Sequence, residues 1–201
     1  MSRYAKGHVI PNIERARQLW NTLSKIVGLE REFRRRLKPS YGGYFDNTLL
    51  VGDIILLRQA ANYAVSKFAG KRITKVLTAA VDGIPLATMV ANALGVNLVI
   101  AKTSKEVGVS SFLEETYVLS NSGRTLTLYV PGKSIKKWDS VLIVDDIIKN
   151  GDMQNALLNL VRKARAEVTG LFFMIAIGDR WMEKLKIPSD CQVEVILRVP
   201  A

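Results

Sequence analysis

Two adjacent carboxylates, Asp145 and Asp146, are the groups in this chain best placed for chemistry. They follow the apolar run Val141-Leu142-Ile143-Val144 and precede a polar turn, Lys149-Asn150-Gly151-Asp152. Met153, Ala156, Leu157, Leu160, Val161 and Ala164 then recur three and four apart, the stripe of an amphipathic helix. An unbroken apolar run suits a strand covered on both faces, as in a parallel sheet. Strand, acid pair, turn and helix in that order set two negative groups beside a helix N-terminus, at the end of the strands where open α/β sheets bind ligands. Backbone N–H groups at that terminus, and the positive end of the helix dipole, can hold a phosphate. Two carboxylates can bind sugar hydroxyls or a hydrated Mg2+. A ligand carrying both phosphate and ribose suits all of these groups. A plain buried strand with a charged turn has the same pattern and needs no ligand.

The elements that would position the pair can be read in order. Asp53 to Phe68 has helical spacing and stops at Gly70. Val76 to Ala80 is a strand, Val81-Asp82-Gly83 a turn, Ile84 to Leu94 a helix ended by Gly95, and Leu98 to Ala101 a second strand, which makes a right-handed βαβ unit. Lys102 and Lys105 follow that strand. Residues from about 103 to 128 are polar and contain Gly108 and Gly123, and Thr125 to Val130 alternates, as in a mobile β-ribbon. Leu171 to Ile177 and Val193 to Val199 complete the strands. The class is α/β, with a mostly parallel central sheet flanked by helices.

The 201 residues are enough for one domain of about 41–201 and an N-terminal extension, 1–40. That extension carries ten Lys/Arg against three Asp/Glu, which is +7 of the net +11. Asn12 can cap a helix through Ala16, Leu19, Trp20, Leu23, Ile26 and Val27 to Gly28, and Arg31 to Lys38 is the solvated side of another. The first dozen residues look like the tail of a helix-turn-helix. A basic segment of this kind can attract nucleic acid, attract other anions, or simply be solvated. Ser40 to Asn47 is a loop or short hairpin whose Tyr41, Tyr44 or Phe45 would line a pocket or pack on the core. No apolar run is long enough to span a membrane, and a single cysteine, Cys191, excludes an internal disulfide; a cytoplasmic protein is the simplest expectation.

The stretch Ser140 to Met153 resembles the phosphoribosyl-pyrophosphate (PRPP) motif of type I phosphoribosyltransferases. Its Asn-Gly is similar to the xanthine branch and its Asp-Asp-Ile-Ile to the hypoxanthine-guanine enzymes. The likeness covers roughly residues 45–199 and implies that family's fold, with a small hood over the base. It implies transfer of ribose 5-phosphate from PRPP to a purine nitrogen, with release of pyrophosphate. Asp145 and Asp146 would hold the ribose hydroxyls, directly or through water on Mg2+. Lys149, Asn150, Gly151, Asp152 and Met153 would cradle the 5-phosphate with backbone N–H groups, because Met153 stands where many relatives have a phosphate-binding threonine. Val81, Asp82, Gly83, Lys102 and Lys105 would face pyrophosphate, although Asp82 is an odd neighbour for it. Ile147 would pack on the base.

In 6-oxopurine enzymes of the xanthine branch a lysine near the position of Ile177 donates to O6. Ile177 cannot donate, which favours adenine over xanthine, hypoxanthine or guanine. Adenine enzymes commonly place a glutamate near Ser120; here Glu114 and Glu115 lie close by in sequence. The expected activity is purine salvage by a homodimer. The alternative is a purine-repressor-like regulator that senses PRPP or a nucleotide and binds DNA.

Overall fold

The computed structural model describes residues 10–19, 28–39, 45–188 and 191–201. Tyr41, Tyr44, Trp20 and most of the helix-turn-helix-like tail lie outside them. Residues 13–19 form α1, with Asn12 Oδ1 accepting from Arg15 N at 2.9 Å as a helix cap should. Helix α2 (Leu29–Arg36) pairs its charges internally, Glu30 with Arg34 and Glu32 with Arg35. It buries Phe33 in the core, a contribution of about 1.5–3 kcal/mol for a fully covered side chain of this size. Strands β1 (Lys38–Pro39) and β2 (Phe45–Asp46) pair antiparallel as a short hairpin, and Phe45 packs on the core. Helix α3 (Thr48–Val51) leads to α4 (Ile54–Lys67). Asp53 caps α4 by accepting from Leu56 N at 2.9 Å, and Arg36 forms an ion pair with the same carboxylate.

Then β3 (Lys75–Ala79), α5 (Gly83–Leu94) and β4 (Asn97–Ala101) form the βαβ unit. Strands β5 (Phe112–Val118) and β6 (Thr125–Pro131) make a separate antiparallel ribbon. After it come β7 (Ser140–Ile148), α6 (Asp152–Lys163), β8 (Glu167–Ile177), α7 (Arg180–Lys184) and β9 (Gln192–Val199). The central sheet runs β4-β3-β7-β8-β9, all parallel. β7 is central, and its residues alternate between two cores: Leu142 and Val144 face the α2–α5 side, Val141 and Ile143 the side of α6, α7 and the ribbon. Burial on both faces explains the unbroken apolar run. The strand continues two residues past the acid pair, beyond where the apolar run ends, because Ile147 and Ile148 keep pairing with β8.

Candidate functional site

The parallel topology brings the carboxyl ends of β3, β4 and β7 to one edge of the sheet. Asp145 is 1% exposed and Asp146 8%. Gln154 Nε2, from the first turn of α6, donates to Asp145 Oδ2 at 2.9 Å. Asn47 Nδ2, from the start of α3, donates to Asp146 Oδ2 at 2.6 Å, across 99 residues of sequence. Asp146 N donates to Asp145 Oδ1 at 3.1 Å. Burial pushes the Asp145 carboxyl well above the usual carboxylate range, and the Asp146 charge adds to this. Burial also raises Asp146, and the nearby Asp82 charge pushes the same way. The pair therefore stores unfavourable negative charge that a cation or hydroxyl donors would relieve.

Two glycines shape the cradle. Gly151, at φ 77, turns the chain from β7 into α6, and no side chain caps the N-terminus it opens. The first-turn N–H groups of α6 thus lack a side-chain acceptor, the arrangement that holds phosphate. Gly83 begins α5 against the acid pair: a Cβ there would collide with Asp145 Oδ1 and Thr78 Oγ1. The turn Val81-Asp82-Gly83 is therefore in direct contact with the acid pair, although Gly83 and Asp145 are 62 residues apart in sequence. Val81 is 75% exposed, and the Ala80–Val81 peptide is cis.

The other expected residues fall in varied surroundings. Lys149 and Asn150 are half-buried beside the acids. Met153 turns its side chain into the second core, so only its backbone faces the cradle. Asp152 does not extend into solvent. Its carboxylate accepts from Ser120 N at 2.9 Å and Ser120 Oγ at 2.8 Å, while Lys184 Nζ lies 3.6 Å away. Lys102 forms an ion pair with Glu106, and Lys105 with Glu114 at 3.0 Å, with the Lys105 ammonium over the Phe112 and Tyr129 rings. Ile147 is half-buried against the first core, and Ile177 is buried in it at the end of β8.

Two neighbours of the site were not singled out from sequence. Asn47 needed the tertiary fold to reach Asp146. Tyr117, on the inner face of β5, has its phenol pushed up by burial and by the charges of Asp145 and Asp152. Alternation along β5 placed Leu113, Glu115 and Tyr117 on one face, but nothing in it said what that face covers.

The phosphoribosyl transferase domain family matches residues 53–199. The purine biosynthesis transcriptional repressor PurR of Bacillus subtilis is 34% identical over 134 residues, 67% of this chain and 47% of the repressor. Xanthine phosphoribosyltransferase of Lactococcus lactis subsp. cremoris is 34% identical over 124 residues, 61% of this chain and 63% of the enzyme. The chain thus spans about half the length of the first relative and under two thirds of the second. The crystal structure of adenine phosphoribosyltransferase from Rhodothermus marinus aligns with a TM-score of 0.73 at 26% identity, covering 86% of this chain and 99% of that one. The domain match, the parallel sheet and the acid pair ahead of an uncapped helix agree, and the chain belongs to the type I phosphoribosyltransferase family.

Proposed function

We propose that this protein is a purine phosphoribosyltransferase and that adenine is its base. The observation that carries the reading is the buried Asp145–Asp146 pair directly before the uncapped start of α6. In the reaction, a purine ring nitrogen bonds to C1 of the ribose. The bond from C1 to the pyrophosphate oxygen breaks, its electron pair leaves with pyrophosphate, and the nitrogen's proton passes to water or to the departing pyrophosphate. C1 becomes cationic on the way, and two fixed carboxylates favour that charge. Asp145 and Asp146 accept from the ribose hydroxyls. The backbone of Lys149 to Met153 holds the 5-phosphate. Val81, Asp82 and Gly83 lie where pyrophosphate leaves, and Lys102 and Lys105 neutralise it after exchanging their glutamate partners for it.

The donor set fits a hard divalent cation such as Mg2+, since carboxylate oxygens are its preferred protein ligands and both carboxyls are held up by burial. Among the described residues no three His, Cys, Asp or Glu side chains converge on one point. The cation would therefore be held through water and PRPP oxygens as well as Asp145 and Asp146. When bound, it would offset the charge of the leaving pyrophosphate.

Adenine is supported by the buried, apolar Ile177, which offers no donor for O6, and by the fold likeness to an adenine enzyme. The sequence likeness to a xanthine enzyme favours a 6-oxopurine instead. A second reading, a purine-responsive DNA-binding regulator, draws on the likeness to PurR and on the basic residues 1–40. One assay orders these: incubation with PRPP, Mg2+ and each purine, with nucleotide and pyrophosphate quantified. AMP formed from adenine is expected. Turnover with only a 6-oxopurine would overturn the base assignment, and no turnover with any purine would overturn the enzyme. Light scattering tests the homodimer that accompanies this proposal.

A further inference from the structure

The amino ends of the strands form a pole roughly 20 Å from the acid pair, counting six residues of β7 at about 3.3 Å each. Two clefts open there. Lys133, Lys136, Lys137, Lys163 and Arg165 line one; Lys71, Arg72 and Arg162 line the other, where Glu167 is the acid among them. Hydrogen bonds join them: Arg72 Nη1 donates to Trp138 O at 2.9 Å, and Trp138 N to Arg165 O at 3.2 Å. Arg162 donates to Lys186 O, which extends the cationic surface. Of these cations only Lys163 forms a salt bridge, with Glu115, while the Asp139 carboxylate accepts from Lys136 N and lies near enough to feel the Lys136 charge. The other ion pairs among the described residues lie elsewhere. Outside residues 1–40 the chain carries only +4, so this concentration is a matter of placement.

Trp138 stands in the middle of the patch and is 72% exposed. Lys137 Nζ lies 4.5 Å from its ring centroid. Its φ of 72 and the 56 of Arg165 are the positive φ values found at non-glycine positions among the described residues. A bulky side chain adopts that conformation at a cost, and here the two residues face each other through one hydrogen bond. The backbone is bent so that an indole is presented to solvent among cations.

From this geometry we infer that the pole is a binding surface for single-stranded nucleic acid, separate from the PRPP site. The Lys and Arg side chains that form no salt bridge attract phosphates, and the indole offers a stacking face to an unpaired base. A duplex would use the cations but leave the indole idle. An anionic lipid surface would call for more apolar side chains, and Trp138 is the exposed large hydrophobe of the patch.

The test uses the full chain and a fluorescein-labelled 15-nucleotide oligouridylate, with heparin and a labelled duplex DNA as comparisons. Binding that weakens steeply with salt, and that quenches tryptophan fluorescence, is expected. Trp138→Ala should weaken RNA binding by about 5–100-fold, the range of one stacked base, leave heparin binding unchanged and abolish the quench. Lys136→Glu with Lys137→Glu should weaken both ligands at least about 10-fold and flatten the salt dependence. Melting temperature and far-ultraviolet circular dichroism serve as folding controls for these surface variants. Tighter binding of duplex than of single strand overturns the proposal. So does RNA affinity unchanged in Trp138→Ala, or affinity unchanged in the lysine variant, which would assign the binding to residues 1–40. None of these outcomes depends on whether the PRPP site is active.

Discussion

Asp146 illustrates how its proposed function and the stability of the fold oppose each other at a single residue. Its carboxyl is held above its unfolded value by burial, so ionising it opposes folding. That cost is absent below about pH 3.9, the unfolded value, grows as pH rises from there to the raised folded value, and is complete above it. Asp146→Asn removes the charge and keeps an oxygen for Asn47 to bond. It is expected to raise the melting temperature at pH 7, by about 2–4 °C for each kcal/mol relieved, and to lower PRPP-dependent turnover at least about 100-fold. The gain in melting temperature should shrink as the pH is lowered toward 4. A variant that melts lower at pH 7 would argue against the stored charge. Gly83 gives the complementary case. Gly83→Ala drives a methyl group into Asp145 and Thr78, and overpacking of this kind costs about 1–3 kcal/mol. Urea denaturation should show that loss, and turnover should fall further than stability alone explains, because Asp145 must move.

At the scale of elements, the ribbon of β5 and β6 is laid along α6 and tied down at both ends. Asp152, at the start of the helix, receives two hydrogen bonds from Ser120, and Lys184 Nζ donates to Ser120 Oγ at 2.8 Å. Near the other end Asn159 donates to Glu115 at 2.8 Å, and Lys163 pairs with the same carboxylate at 2.6 Å. The helix proposed to offer its N-terminus to a phosphate also holds the ribbon that carries Tyr117. Asp152→Ala is expected to release the ribbon tip. Hydrogen exchange across residues 112–131 should quicken while exchange in β7 and β8 stays slow. Equal protection in the variant would show that strand pairing alone orders the ribbon.

Across the whole molecule, the two proposed sites lie at opposite ends of one parallel sheet. Acids and helix N-termini gather at the carboxyl ends of the strands, and cations, most of them without a salt bridge, gather at the amino ends. The sites share no residue, and energetic effects at that separation usually add. Asp146→Asn should therefore leave oligouridylate affinity unchanged, measured by anisotropy, while Trp138→Ala leaves turnover unchanged. Coupling in either direction would mean that the sheet transmits a rearrangement between its ends.

Local pattern was enough for much of this protein. The apolar run of β7, the three-and-four spacing of α6, the Asn12 cap and the βαβ unit are decided by neighbours within a few residues, and so they are readable in sequence. The acid pair and Gly151 are equally local, since strand, turn and helix follow one another directly. What joins distant segments is not. Asn47 on Asp146, Gly83 against Asp145, and Ser120 on Asp152 each depend on the order in which the strands assemble, and no periodicity encodes that order. The same holds for the basic pole. Lys71, Arg72, Lys136, Arg162 and Arg165 are scattered as ordinary surface charges along the chain, and only parallel strands, all starting from one edge, bring them around Trp138.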